Sequence, residues 1–283
     1  MVRTALAIAG SDSGGGAGIQ ADLKAFARCG VHGTTAITAI TAQNTVGVQA
    51  IYAIPPETIL AQVRAVLADI RVDAVKVGML GTAETARAVA QALDELPAQT
   101  PVVVDPVMLA ESGATLLDAE AQDALIEQIL PRATVITPNL PEARALTGRD
   151  LANGGEMPGD DAAQVQEVQG LARALLALGP RAVVITGGHR RRAADVFLQA
   201  GDSQELQEIE GERHPDGAAH GSGCTHSSAL AAHLALGRTP LQAARAARAV
   251  AADAVRDGLR DVGAGAGPVD VLGIARMRPD TGG

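Results

Sequence analysis

Residues 217–232 read GAAHGSGCTHSSALAA, a run of small, turn-forming residues that changes into an Ala- and Leu-rich pattern. We expect a glycine-rich turn that leads into a helix from about Cys224 onward. Gly221 and Gly223 let the backbone turn tightly, so several N–H groups can point at one spot in front of the helix dipole. The stretch therefore predicts an anion-binding site with the Cys224 thiol at its edge, where a thiol ionises more easily than in water.

Upstream of this stretch, strand-like and helical patterns alternate. Four short apolar runs between residues 73 and 186, DAVKVGM, PVVVD, ATVITP and AVVIT, are separated by segments with helical spacing of apolar residues. This order predicts an α/β fold with a mostly parallel sheet and helices on both faces. Residues 34–41 and 48–54 read as strands of a small flap. No linker interrupts residues 1–283, which predicts a single domain, and the Gly- and Pro-rich tail after Gly263 is expected to be loose.

Composition disfavours several classes of function. Aromatic residues make up 1% of the chain and the formal net charge is −9, so base stacking and binding to a polyanion are both disfavoured. The N-terminus lacks a signal-peptide pattern, and no apolar run reaches the roughly 18 residues that a membrane span needs. The two cysteines stand in dissimilar contexts, which is typical of a reducing compartment. We therefore expect a cytoplasmic protein without nucleic-acid or membrane partners.

Three of the predicted strands end in polar residues. VVVD ends at Asp105, ATVITP leads to Asn139, and AVVIT ends at Thr186 before two glycines. Ligands of open α/β sheets lie beyond the carboxyl ends of the strands, so these residues should line one edge beside the glycine-rich turn. Asp105, Asn139 and Glu142 offer the oxygen ligands that Mg²⁺ accepts. A phosphate at the turn beside such a metal predicts phosphoryl transfer.

At this point the sequence resembles the hydroxymethylpyrimidine/phosphomethylpyrimidine kinases of thiamine biosynthesis, which belong to the ribokinase-like superfamily. The resemblance runs from about Ala5 to Leu236 and is carried, in order, by AGSDSGGGAGIQADLKAF, TAITAQNT, VKVGML, VVVDPVM, ITPNLPEA, VVITGGH and HGSGCTHSSALAA. It implies a ribokinase-like three-layer αβα sandwich with a mostly parallel central sheet and a small flap. It also implies two ATP- and Mg²⁺-dependent transfers, first to 4-amino-5-hydroxymethyl-2-methylpyrimidine and then to its monophosphate. A homodimer formed through the flap, around residues 46–54, is a further implication.

The resemblance also implies roles for individual residues. Gln43 is implied to read the edge of the pyrimidine, and the other implied substrate contacts are Asp22, Gly10, Met79 and Val107. The implied anion hole and catalytic residues are Gly221, Ser222, Gly223 and Cys224, with Cys224 accepting the proton of the alcohol. The implied nucleotide contacts are Asn139, Thr186, Gly188, Gly221 and Gly223. The implied ligands of Mg²⁺ are Asp105 and Glu142.

One departure from the family pattern concerns a cation. Many relatives carry a lysine in the segment after the D-P-V-M strand, where this chain has Glu111. A lysine there could help to hold phosphates, so this chain must use another cation. Lys76 and the run Arg190–Arg192 are the candidates in the sequence.

Other functions stay open at this point. A pyridoxal or pyridoxine kinase of the same superfamily is the main alternative, because its substrate also carries a CH₂OH group on a substituted aromatic ring. Gln43 and Met79 favour the pyrimidine, since an amide can pair with an aminopyrimidine edge. A non-catalytic nucleotide-binding regulator is disfavoured by the intact anion hole. A thiol-dependent transferase is the weakest alternative, because His220 and His226 flank Cys224 without a third orienting group.

Overall fold

The fold is built on one nine-stranded sheet. The structure is a computed structural model that describes residues 1–110, 113–148, 161–187, 194–201, 205–215 and 217–277. The strands are β1 (Thr4–Asp12), β2 (His32–Gln43), β3 (Val48–Ala53), β4 (Ala74–Val77), β5 (Val102–Val104), β6 (Val135–Ile136), β7 (Ala182–Ile185), β8 (Asp195–Gln199) and β9 (Gln207–Ile209). Their order across the sheet is β3-β2-β1-β4-β5-β6-β7-β8-β9.

The centre of the sheet is parallel and its two edges are antiparallel. β1 pairs in parallel with both β2 and β4, and the parallel pairing continues through β5 and β6 to β7. β3 runs antiparallel to the end of β2 and forms the flap, and β8 and β9 add an antiparallel edge beyond β7. Every residue of β4 and β5 is buried, as expected for strands covered on both faces. The predicted, mostly parallel α/β sheet is confirmed.

Helices cover both faces of the sheet. They are α1 (Gly18–Arg28), α2 (Pro56–Asp69), α3 (Ala83–Asp94), α4 (Ala119–Ala124), α5 (Leu140–Leu146), α6 (Asp161–Ala177), α7 (Ser222–Ala235) and α8 (Pro240–Arg256). Side chains of β1 alternate between the faces: Leu6 and Ile8 pack with the core under α2 to α6, whereas Ala5 and Ala7 pack with α1, α7 and α8. The result is a three-layer αβα sandwich. Among the described helices, none is both long and apolar enough to cross a membrane.

Two helices differ from the sequence prediction for local reasons. α7 begins at Ser222, two residues before the expected start, because Gly221 adopts a left-handed φ of 86° as its N-cap. The helical spacing of apolar residues over 119–130 predicts one regular helix, but the segment is α-helical only to Ala124 and continues as a π-helical turn, Leu125–Ile129, before Pro131. Proline lacks the N–H group that a continuing α-helix needs, so the regular helix ends there.

The expectation of a loose tail after Gly263 is wrong for the residues that the structure describes. Val269 and Val271 are buried, and the Val269 N–H donates to the carbonyl oxygen of His220 at 3.1 Å. The Asp270 carboxylate accepts the N–H groups of Ile274 and Ala275, which start a short 3-10 helix. The tail thus packs against the glycine-rich turn, a contact between distant segments that composition cannot reveal.

Candidate active site

A pocket of about 450 Å³ opens at the carboxyl ends of the parallel strands. The polar residues that follow β5, β6 and β7, which are Asp105, Asn139 and Thr186, all line it, together with residues 217–224 of the glycine-rich stretch except Ala218. The structure therefore brings the three strand ends and the turn together, as the topology of an open α/β sheet requires.

The turn before α7 is shaped by glycine. A Cβ at Gly221 would collide with the carbonyl oxygen of Gly16, and the left-handed φ of 86° disfavours any other residue. At Gly223, by contrast, a Cβ would meet nothing within 4 Å. Because Gly223 lines the pocket, this open space belongs to the pocket. The first turn of α7 therefore offers free N–H groups to a ligand in a cradle that a side chain would fill.

Cys224 lines the pocket as a free, partly buried cysteine. Burial raises the pKa of this thiol to about 12, and the carboxylates of Asp22 and Asp105 add to the effect, although Lys76 and a backbone hydrogen bond act in the opposite direction. The expectation of an easily ionised thiol is therefore wrong for the protein without ligands. The start of a helix favours a thiolate, but here the loss of water and two nearby carboxylates outweigh it.

A buried charge network lies beneath Cys224. Lys76 Nζ is 2.8 Å from Asp22 Oδ1 and 3.7 Å from Asp105 Oδ2, with the lysine fully buried. Burial disfavours the charge on Lys76, but the two carboxylates and Cys224 hold its pKa above the usual value. Ser227 donates to Asp105 at 2.9 Å and Ser228 donates to Asp22 at 2.7 Å, so α7 is tied to both acids. Asp22 lies under the pocket and is absent from its described lining.

Asp105 and Glu142 form a pair of carboxylates on the same side of the pocket. Glu142 and Asn139 make a capping box at the start of α5, with the Asn139 N–H donating to Glu142 Oε2 at 2.8 Å and the Glu142 N–H donating to Asn139 Oδ1 at 2.9 Å. Burial and the negative charge of Asp105 raise the pKa of Glu142 to about 8. Two carboxylates that oppose each other's ionisation are a site at which a cation is favoured.

This carboxylate pair suits Mg²⁺ better than it suits a metal ion whose ligands all come from the protein. Within the described residues, no group of three or more His, Cys, Asp or Glu side chains is arranged to hold a metal ion. Mg²⁺ is commonly bound through one or two carboxylates, substrate phosphates and water. The Asp105 and Glu142 carboxylates match that pattern.

The other end of the pocket is formed by the residues implied to bind the substrate. Gly10, Gln43, Met79 and Val107 all line this acceptor end. A Cβ at Gly10 would lie 2.8 Å from Met79 Cε, so the flexible end of the Met79 side chain packs directly on Gly10. The Gln43 N–H donates to Ser13 Oγ at 2.9 Å, and Thr41 Oγ1 donates to Gln43 Oε1 at 3.2 Å. These contacts fix the Gln43 amide at the pocket.

Asp12 is a site residue that the sequence analysis missed. Its carboxylate accepts the N–H groups of Gly14, Gly16 and Ala17 at 2.8, 3.0 and 2.8 Å, and lies 3.1 Å from His220 Nε2. Burial opposes ionisation, but these partners hold the pKa of Asp12 below its usual value. Asp12 thereby joins the first glycine-rich loop to the second. An aspartate at the head of a glycine run, a turn-forming pattern, was the available signal.

A second cluster joins the predicted Thr186 to three residues that the sequence analysis missed, Asp195, His226 and Arg248; all four line the pocket. We name this cluster the nucleotide end, after the role that the resemblance implies for Thr186. Asp195 Oδ1 accepts the Gly187 N–H at 2.8 Å, and Asp195 Oδ2 lies 3.2 Å from His226 Nε2. No local sequence pattern predicts this cluster, because its members come from elements that are distant in the sequence. Both histidines that flank Cys224 have a carboxylate partner, the third group that the sequence did not indicate. Among the described contacts neither histidine hydrogen-bonds the Cys224 sulfur, which disfavours a Cys/His nucleophile. Glu111, Gly188 and Arg190–Arg192 lie outside the described residues.

Comparison with known proteins places this geometry in a family. The family model described as phosphomethylpyrimidine kinase matches residues 12–270. A hydroxymethylpyrimidine/phosphomethylpyrimidine kinase from Rhizobium meliloti is 46% identical over 273 residues, which cover 95% of this chain and 97% of the relative. The solved phosphomethylpyrimidine kinase of Clostridium difficile is 38% identical with a TM-score of 0.72, covering 87% of this chain and 96% of that one.

A pyridoxal kinase from Staphylococcus aureus, solved with AMP-PCP and pyridoxal, is also similar. It is 32% identical with a TM-score of 0.82, and the match covers 98% of this chain and 96% of that one. These similarities confirm the resemblance seen in the sequence motifs. The chain belongs to the phosphomethylpyrimidine kinase family.

Proposed function

We propose that this kinase transfers the γ-phosphoryl group of ATP to the hydroxymethyl group of 4-amino-5-hydroxymethyl-2-methylpyrimidine, and then a second phosphoryl group to the monophosphate. The observation that carries the proposal is the meeting, in one pocket, of the free N–H groups of α7 with the pair Asp105 and Glu142. Curated relatives named for this activity match nearly the full chain at 40–46% identity.

The residues of the pocket suit ATP and Mg²⁺. Asp105 and Glu142 would hold the metal, which when bound neutralises negative charge on the phosphoryl group in transfer. The N–H groups at Gly221 and Gly223 would receive the same phosphoryl group, whereas the Ser222 N–H donates to the Ala219 carbonyl oxygen at 3.0 Å and Ser222 would contribute its hydroxyl. One such donor typically contributes about 3 kcal/mol to the stabilisation of a transition state. Asn139 holds Glu142 in place through the capping box, and Thr186 borders the nucleotide.

Cys224 is proposed as the group that accepts the alcohol proton. Its thiol is protonated in the protein without ligands, so it can accept the alcohol proton only after its own proton has left to solvent. A loose transition state lets the alcohol proton leave late, which suits a weak base. Lys76 favours the thiolate, and Asp22 acts on the substrate indirectly by holding Lys76. The anion hole therefore supplies more of the rate than Cys224.

Pyridoxal is the second candidate acceptor. The specific observation in its favour is the TM-score of 0.82 to a pyridoxal kinase solved with AMP-PCP and pyridoxal. The higher sequence identity, 46% against 32%, lies with a relative named as a pyrimidine kinase. Gln43 at the acceptor end also favours an aminopyrimidine edge.

Phosphate transfer from labelled ATP tests the proposal. The purified protein is incubated with the pyrimidine alcohol, its monophosphate or pyridoxal, and the products are separated. We expect transfer to the alcohol and to the monophosphate at rates well above that for pyridoxal. Faster transfer to pyridoxal would favour the second candidate. Binding of ATP without transfer to any of the three would contradict both.

We also propose that the single domain assembles as a homodimer through the flap. Ile51 and Tyr52 of β3, with Ile40 and Val46 nearby, are exposed apolar residues on this edge of the sheet. ATP as co-substrate and two unpaired cysteines support a cytoplasmic location. Sedimentation velocity of the wild type tests the dimer, and a monomer at micromolar concentration would contradict it.

A further inference from the structure

The lysine that many relatives place near the phosphates of ATP is replaced in this chain. Glu111 stands where many relatives carry a lysine, and Lys76, which lines the pocket, is paired with Asp22 and Asp105. The described residues of the pocket offer other groups that can carry positive charge on this side, and these are Arg213, His214, His226 and Arg248. Of these, His226 belongs to the same helix as the anion hole.

The position of His226 on α7 directs it toward the nucleotide end. Ser227 and Ser228 of this helix contact Asp105 and Asp22 on the acceptor side of the pocket. His226 instead contacts Asp195, the first residue of β8. It follows Ser222 by four residues, so both lie on one face of the helix. The helix α7 thus separates the acceptor side of the pocket from the nucleotide end. His226 lies on the nucleotide side, one helical turn after the anion hole.

The two ring nitrogens of His226 have different surroundings. Nε2 lies 3.2 Å from Asp195 Oδ2. Burial opposes ionisation of Asp195, but His226, Arg248 and the Gly187 N–H hold the pKa of this carboxyl below its usual value. An ionised carboxylate needs a proton on Nε2. Neither nitrogen has a hydrogen bond of good geometry within the described residues, so Nε2 is held by Asp195 at ion-pair distance and Nδ1 has no partner, while His226 lines the pocket and is only 4% exposed.

We propose that His226 is a nucleotide-binding residue whose Nδ1 donates a hydrogen bond to a phosphate oxygen of ATP. Asp195 is a positioning residue, since it orients the imidazole through Nε2 and fixes the turn after β7 through the Gly187 N–H. An imidazolium held between the Asp195 carboxylate and a phosphate satisfies both nitrogens. This inference rests on the proposed use of ATP.

The test compares two histidines of the same helix. In His226→Leu the KM for ATP should rise at least about tenfold, because a charge-assisted hydrogen bond is lost, while the KM for the pyrimidine alcohol stays within about twofold. His233→Leu is the matched control, because His233 is also buried in α7 with an unpartnered Nδ1 among the described residues, but does not line the pocket. It should leave both constants unchanged.

Calorimetric titration with ADP supplies a second measurement that does not depend on turnover. We expect weaker ADP binding in His226→Leu and, to a lesser degree, in His226→Gln, which keeps one N–H donor but not the charge. Unchanged ADP affinity in a folded His226→Leu protein would overturn the inference. So would equal increases in both KM values together with a lower Tm, which indicate a purely structural role. A wild type that binds ADP but transfers no phosphate would contradict the proposed function while leaving the inference intact.

Discussion

Lys76 Nζ lies 2.8 Å from Asp22 Oδ1, and both side chains are fully buried between the sheet and the helices α1 and α7. The pair holds β4, α1 and α7 together on the acceptor side of the pocket, because Lys76 also contacts Asp105 and Ser228 donates to Asp22. A buried charge without its partner is costly, because neither water nor an opposite charge compensates it.

Removing one member of this pair should destabilise the protein strongly. Lys76→Met leaves Asp22 buried without its cation, and we expect a loss of about 3–5 kcal/mol in the free energy of unfolding, measured by urea titration. The double variant Lys76→Met with Asp22→Asn should lose less than the sum of the single variants. Arg64→Met, which removes an exposed ion pair with Glu95, is the control and should change the midpoint little. Additive losses would contradict a coupled pair.

Gly223 gives a test of the anion hole without loss of the fold. A Cβ there meets nothing within 4 Å, so Gly223→Val should fold and yet place its methyl groups where the phosphoryl group binds. We expect phosphate transfer to be abolished, whereas Cys224→Ser should only weaken turnover. Gly47→Val, at another glycine where a Cβ meets open space, is the matched control. Equal, small losses of kcat at Gly223 and Cys224 would contradict this account.

The thiol of Cys224 should react slowly with alkylating reagents. Its pKa of about 12 leaves very little thiolate at neutral pH, and the thiolate is the reactive form. We expect iodoacetamide to modify Cys224 at least about tenfold more slowly in the folded protein than in urea at pH 7.5, measured by mass spectrometry. Faster reaction in the folded protein would show that the helix start, rather than burial, controls this thiol.

The sequence alone located much of the pocket. Asp105, Asn139 and Thr186 were identified because each follows a strand, and the topology of a parallel sheet brings the ends of strands together. Cys224 was placed at the helix start by the same local signals. Its ionisation was predicted wrongly, because burial and the carboxylates of Asp22 and Asp105 act across segments that are distant in sequence.

Contacts between distant segments account for the other differences. Asp195 and His226 meet only because β8 returns to the edge of the sheet beside α7, and no spacing rule predicts this. The glycines after Gly263 led to the prediction of a loosely packed tail. In the structure Gly263 and Gly265 are glycines because each packs closely against Thr45, where a Cβ would collide.

Glu142 should make stability depend on pH. Its pKa of about 8, raised by burial and by Asp105, lies above the value in an unfolded chain, so the folded protein binds the proton more tightly. Stability from this group is therefore present at low pH and lost as the pH rises toward about 8. Glu142→Gln keeps the capping box and removes the titration. Without ligands, we expect the variant's Tm to exceed that of wild type by about 2–4 °C at pH 8.5 and to match it near pH 5. A constant difference across this range would contradict the assignment.

The tail should control the acceptor end through Thr45. The Gly265 N–H donates to Thr45 Oγ1 at 3.2 Å, and Thr45 follows Gln43 by two residues. In Gly265→Ala the new Cβ would collide with the carbonyl oxygen of Thr45, so the tail and the flap turn must separate. Because small displacements of a binding group are costly, we expect the KM for the pyrimidine alcohol to rise about tenfold while the KM for ATP stays within about twofold. Gly47→Ala, in the same turn but facing open space, should leave both unchanged. Equal increases in the two constants would show that the tail supports the whole fold rather than the acceptor end, because a general loss of structure weakens both ends of the pocket alike.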